Sequence, residues 1–202
     1  LSREDGIGVK RFGGERLLGT RWNRAYGIAV EAGKDREPHR VGHAAFESIV
    51  KVAVVITGQL AETGEAGLKI QEEAVALARS GGMRILGPNC LGAFNVYSSL
   101  CLSPSVTMSV DRLHKGHVGV ASQSGALQTA MFIRAFDAGI GFSSAITLGN
   151  QADLELSDGF NYLVDDPETK AILLYVEGLK DYEQFKIAAE RAQEIGKPVV
   201  AV

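Results

Sequence analysis

From residue 51 onward, short apolar runs alternate with longer stretches in which apolar residues recur every three or four positions. Residues 51–57, Lys-Val-Ala-Val-Val-Ile-Thr, form a continuous β-rich run, the pattern of a strand covered on both faces. Thr63 then opens a helical pattern that turns Leu68, Ala74, Val75, Leu77 and Ala78 toward a core and stops at Gly81-Gly82. A short strand is predicted at 83–86. Residues 97–113 are polar, Ser-rich and irregular, and 111–116 is the expected domain boundary. Beyond it, strands are predicted at 117–121, 143–148, 170–176 and 198–202. Helices are predicted at 124–137, about 154–164 and 181–195, the last with Phe185, Ala188, Ala189, Ala192 and Ile195 on one stripe. Strands alternating with helices of this length imply a parallel, doubly covered sheet and an α/β fold.

Residues 1–50 show no such period. They are rich in Arg and Gly, and Gly6-Ile7-Gly8 and Gly13-Gly14 lead into no helix, so a dinucleotide fingerprint is missing. An irregular segment is the expectation there. The chain starts at Leu1 and runs out inside the last strand pattern, so it reads as a piece of something longer.

Composition narrows the function classes. A net charge of -3 over 202 residues carries no basic footprint for nucleic acid. No apolar run approaches the ~20 residues of a membrane span, and no signal peptide is evident. Cys90 and Cys101 form no C-x-x-C, and His39, His43, His114 and His117 show no metal-ligand spacing with them. Two unpaired cysteines suit a reducing cytoplasm rather than a disulfide scaffold.

The polar motifs fall at the ends of the predicted strands, where open parallel sheets bind ligands. Strand 117–121 delivers Ser122-Gln123-Ser124-Gly125 at the start of a helix. Such a turn either caps the helix or offers hydroxyls, free N–H groups and the positive end of the macrodipole to an oxyanion or phosphate. Strand 143–148 delivers Gly149-Asn150-Gln151-Ala152-Asp153, strand 170–176 delivers Glu177-Gly178, and strand 83–86 delivers Gly87-Pro88-Asn89-Cys90. Asp153, Glu155 and Asp158 are read as caps for the next helix, and residues 165–168 as a turn and helix stop. A carboxylate beside a phosphate nest requires a cationic or protonatable partner between them, for which histidine is the natural candidate. A serine hydrolase does not fit. The G-x-S-x-G elbow is absent and every histidine precedes Ser122.

The segments 87–92 (GPNCLG), 122–127 (SQSGAL), 148–153 (LGNQAD) and 175–178 (YVEG), with 61–65 (AETGE) and 166–170 (DPETK), together resemble the NDP-forming acyl-CoA synthetases. That superfamily includes the succinyl-CoA synthetase α subunit and ADP-forming acetyl-CoA synthetase. The resemblance covers about residues 51–202. It implies a degraded or irregular start at 1–50, the C-terminal part of a CoA-binding Rossmann-like domain at 51–113, and a flavodoxin-like, succinyl-CoA-ligase-like domain at 114–202. It implies that acyl-CoA and phosphate give an acyl phosphate, then a phosphohistidine, then NTP from NDP, each step reversible.

By the same resemblance, Ser122, Gln123, Ser124 and Gly125 would bind phosphate, with Gly149 and Asn150 lining the pocket. Glu177 would orient the histidine, and Asn89 and Cys90 would lie near the CoA thiol. The phosphorylated histidine falls beyond this chain in the family. His43 only imitates its setting, and His117, opening a strand, is read as structural. ADP/ATP or GDP and Mg2+ would belong to a missing part, an ATP-grasp domain or β-type partner chain. The fragment alone is expected to be inactive. A non-catalytic acyl-CoA-sensing module is the alternative, and a damaged gene product a third reading.

Overall fold

A computed structural model of the chain describes residues 7–11, 28–32, 51–108 and 113–202. Two sheets result. The first holds β1 (Ile7–Arg11), β2 (Ile28–Ala32), β3 (Val52–Val55) and β4 (Arg84–Leu86) in that order, with β1 antiparallel and the rest parallel. Thus two short strands occupy part of the segment expected to be irregular. His39, His43 and the glycine pair at 13–14 lie outside the described residues.

Between β3 and β4 runs helix α1 (Glu65–Ser80), entered through a 3-10 turn at Ala61–Thr63. Its buried side carries Gly67, Gln71 and Ala78. Leu68, expected to face the core, is 41% exposed. One residue of offset from Gly67 rotates a side chain by about 100° around the axis, which takes Leu68 off the packed stripe.

The second sheet has the order β10-β9-β7-β8-β5-β6. It contains β5 (Ala93–Asn95), β6 (Leu100–Leu102), β7 (Lys115–Ser122), β8 (Phe142–Thr147), β9 (Ala171–Tyr175) and β10 (Val199–Ala201). Strands β7 to β10 are parallel, while β5 and β6 form an antiparallel hairpin on the β8 side. By strand pairing this sheet therefore starts at Ala93, well ahead of the expected boundary at 111–116. Residues 109–112 lie outside the described set. The hairpin was hidden because its strands have three residues each and its turn is polar: Asn95 Oδ1 accepts from the N–H groups of Tyr97 and Ser98, an Asx turn.

Helix α2 (Gly125–Asp137) covers one face of this sheet, packing Phe132 with Phe94, Phe142, Val120 and Ala145. Helices α3 (Leu156–Asp165) and α4 (Tyr182–Glu194) cover the other, around Ala121, Phe160, Leu163, Ile172 and Leu174. Ile195, assigned to the core stripe of α4, is instead its exposed C-cap. Strand β10 lies at the sheet edge with Val199, Val200 and Val202 exposed.

The order 9-7-8 makes β7 the strand at which the connections change direction. The chain goes from β7 to β8 through α2 on one face, then to β9 on the other side of β7 through α3 on the opposite face. That reversal opens a crevice at the carboxyl end of β7, the topological switch point at which such sheets hold ligands. Ser122 ends β7 there.

Candidate functional site

The turn after β7 is built by its own side chains. The Ser122 hydroxyl is fully buried; it donates to the Ser124 carbonyl (2.8 Å) and accepts from the Ser124 N–H (3.2 Å). Ser124 is the N-cap of α2, its Oγ accepting from the Leu127 N–H (3.3 Å). The Gln128 N–H goes to the Ser124 carbonyl (3.1 Å). The N–H groups of Gly125 and Ala126, first in the helix, have no acceptor within it and point along the axis out of its N-terminus. With the remaining Ser124 hydroxyl proton they form a donor cluster for an anion. A Cβ on Gly125 would stand 2.7 Å from Leu91 Cγ, so only glycine lets Leu91 seat against the first helical turn.

Gln123 is only 6% exposed and its amide is engaged at both ends. Oε1 accepts from the backbone N–H groups of Glu177 and Gly178 (3.0 Å for the latter), and Nε2 donates to the Gly178 carbonyl (2.6 Å). Glu177 itself is exposed at the end of β9. The turn 122–125 and Glu177 are thus brought together as the sequence predicted, while the side chains of Ser122 and Gln123 are spent on building the turn.

Gly149 and Asn150 lie at the junction with the first sheet. The Asn150 N–H donates to the Pro88 carbonyl (2.8 Å), the Ala152 N–H to Gly87 (3.0 Å) and the Leu154 N–H to Ile85 (3.0 Å). Gly149 has φ +56°, and a Cβ there would fall 2.1 Å from the Pro88 carbonyl oxygen. Close approach of two turn backbones explains this glycine. Asn150 Nδ2 donates to Glu62 Oε2 (2.7 Å) and Gln71 Oε1 (3.0 Å), and Asn150 Oδ1 accepts from Asn89 (3.3 Å). Burial works upward on the Glu62 carboxyl. Its hydrogen bonds to Asn150 and to the backbone at 59–62 outweigh this and hold it below its ordinary 4.5.

Asn89 stands exposed in a left-handed conformation at the end of β4. Cys90 does not share that exposure. It is 3% exposed, packed with Val54, Leu86 and Leu148, and burial pushes its thiol up to about 12. The Cys90 side chain belongs to the apolar layer, whereas the sequence reading placed this residue near the CoA thiol.

Two groups went unread in the sequence. Lys180 Nζ donates to the carbonyls of Gln151 (2.6 Å) and Asn150 (3.4 Å), placing a cation at the strand ends. Nothing in its exposed turn signals this. Asp153, read as a helix cap, instead takes Arg79, Arg84 and the Ile85 N–H. The other two residues read as caps do serve α3: Glu155 is its N-cap residue, and Asp158 completes a capping box, its Oδ2 accepting from the Glu155 N–H (2.9 Å). His117 bonds through Nδ1 to the Glu168 carbonyl (2.8 Å) near the start of β7. Five residues of strand, roughly 16 Å, separate it from Ser122. His114 packs edge-on against Phe136. Neither serves the strand-end site. Among the described residues no group of three or more His, Cys, Asp or Glu is arranged to hold a metal, and no helix is long and apolar enough to cross a membrane.

Residues 115–202 match the family model of the succinyl-CoA ligase-like flavodoxin domain. That segment belongs to this family. The wider chain is related to ADP-forming acyl-CoA ligases. It is 42% identical over 156 residues to the acetate–CoA ligase [ADP-forming] II α subunit of Pyrococcus furiosus, covering 77% of this chain and 33% of that protein. It is 37% identical over 153 residues to the acetate–CoA ligase [ADP-forming] of Methanocaldococcus jannaschii, covering 76% of this chain and 21% of that protein. In structure it matches the dinucleotide-forming acetyl-coenzyme A synthetase 1 of Ca. Korarchaeum cryptofilum, solved with phosphate and ADP. There the TM-score is 0.70 at 33% identity, over 81% of this chain and 34% of that one. The chain spans a fifth to about a third of these relatives. The expected α/β class and the family resemblance are borne out.

Proposed function

We propose that this chain forms the CoA-side and phosphate-receiving part of an NDP-forming acyl-CoA synthetase. The observation that carries the reading is the α2 N-terminus, with the Gly125 and Ala126 N–H groups unspent, opening at the switch point beside Glu177. The relationship to ADP-forming acetate–CoA ligases supplies the chemistry it fits.

In that reading phosphate displaces CoA from an acyl-CoA, giving an acyl phosphate and free thiol. The phosphoryl group passes to a histidine nitrogen, releasing the carboxylate, and then to NDP, giving NTP. The donors of Ser124, Gly125 and Ala126 hold the phosphoryl oxygens and stabilise the charge that develops on them. Glu177 accepts a hydrogen bond from the imidazole ring and favours its cationic form as the phosphoryl group arrives. Asn89, the exposed polar group at the end of β4, contacts CoA, and the Lys180 charge offsets that of the anions. The histidine comes from outside these 202 residues, as does the ATP-grasp domain or β-type subunit that binds the nucleotide. Mg2+, which the nucleotide half-reaction would use, is assigned to that nucleotide-binding part. Free thiols at Cys90 and Cys101 fit a cytoplasmic setting.

The test is phosphoryl capture by the full-length protein. With acetyl-CoA and radiolabelled phosphate, it should take up acid-labile label that ADP then discharges as ATP. Binding of acetyl-CoA without any label would overturn the enzyme reading in favour of a sensing module.

A further inference from the structure

Glu177 is followed by Gly178, whose missing Cβ meets nothing within 4 Å, and by the exposed Leu179 and Lys180. Such a turn would leave the backbone that carries the carboxylate with wide freedom. One side chain removes it. The planar Gln123 amide pairs with the 177–178 backbone as another peptide would, taking two N–H groups on Oε1 and giving Nε2 to the Gly178 carbonyl. Its own N–H continues the pairing of β7 with β9 by donating to the Tyr175 carbonyl (3.2 Å). Gln123 stands between Ser122, which shapes the turn, and Ser124, which caps α2. Gln123 therefore ties the backbone that carries the carboxylate to the turn that opens α2.

We propose that Gln123 is a positioning residue, whose amide fixes Glu177 at a set distance from the α2 N-terminus and acts on phosphoryl transfer only through Glu177. This rests on the reading of the site given above. For a direct phosphate contact the amide has only its second Nε2 proton left: Oε1 cannot donate, and the first Nε2 proton goes to the Gly178 carbonyl.

Four variants of the full-length protein test it: Gln123→Leu, Gln123→Glu, Glu177→Gln and the double variant Gln123→Leu/Glu177→Gln. Loss of the clamp should lower kcat for acetyl-CoA turnover roughly 10- to 100-fold with KM for acetyl-CoA unchanged, the scale of a small misplacement of a reacting group. In the double variant the two losses should not multiply; its rate should lie within about twofold of Glu177→Gln alone. Gln123→Glu puts a carboxylate against the Gly178 carbonyl, and its activity relative to wild type should recover as the pH falls and the new carboxyl can donate again. Multiplicative losses, or wild-type kcat in Gln123→Leu, overturn the proposal. If Gln123→Leu does not fold, a Gln123→Glu activity ratio that stays flat with pH overturns it instead. A Glu177→Gln protein with undiminished phosphoryl capture would remove the underlying site reading as well, which separates the two failures.

Discussion

Arg84 Nε lies 2.9 Å from both carboxylate oxygens of Asp153, joining the last strand of the first sheet to the turn after β8 of the second. Arg79 adds Nε and Nη2 at 2.8 and 2.6 Å, and the Ile85 N–H reaches Oδ2 at 2.7 Å. The carboxylate is fully buried whereas both arginines are about half exposed. One saturated anion is therefore among the links between the two sheets, alongside the backbone bonds beside it and the Asn150 side chain.

Asp153→Ala leaves the Ile85 N–H without its acceptor and two cations without their counter-charge. The expected cost is about 2–4 kcal/mol, toward the lower end because the arginines can hydrate. Hydrogen exchange should show it locally. The Ile85 amide should exchange faster than in wild type, and unchanged protection there would exclude the clamp.

Acid should weaken the same junction at a second point. The folded-state Glu62 carboxyl titrates below 4.5, so its ionised form contributes stability that is fully present above that value. This contribution fades as the pH drops through the lower, folded-state value. Replacing Glu62 by Gln should flatten the fall of the unfolding midpoint as the pH drops below 4.5; identical pH profiles would contradict this.

Cys90 should be chemically silent. With its thiol near 12, only about one molecule in ten thousand carries the thiolate at pH 8. Iodoacetamide should therefore modify Cys90 only after denaturation, and Cys90→Ala should keep phosphoryl capture. Rapid labelling of native Cys90 would show that the side chain reaches solvent.

The Thr147 hydroxyl is buried with no hydrogen-bond partner, at the end of β8 opposite Ser122 in the strand register. Thr147→Val keeps the shape and removes that unsatisfied group. It should raise stability by about 1 kcal/mol in thermal unfolding. A lowered midpoint would mean that the hydroxyl is satisfied in solution.

The α/β alternation was legible because each parallel strand is an apolar run and each covering helix repeats at three or four residues. The strand-end motifs at 122–125, 149–150 and 177–178 were legible as turns for the same reason: Gly, Ser and Asn interrupt those runs. Short elements escaped. The three-residue strands β5 and β6 are too brief to show a period, and β5 is seated by Phe94 against Phe132 and Phe142, residues far apart in sequence. Individual roles escaped too. Asp153 looked like a cap because caps are local, but its partners are 69 and 74 residues away.

Local chemistry along the chain thus determined that a Ser-Gln-Ser-Gly turn would end a buried strand and open a helix. It also determined that a carboxylate would follow a neighbouring strand. Tertiary structure alone decided which atoms of that turn stay free. Parallel register sets Ser122 and Tyr175 side by side, so the residue after Ser122 meets the backbone after Tyr175. Gln123 is therefore consumed in holding Glu177, Ser122 in shaping the turn, and the Gly125 and Ala126 amides are left facing the crevice. Hydrogen-bond partners across a sheet depend on register and strand order, which no single segment of the sequence contains.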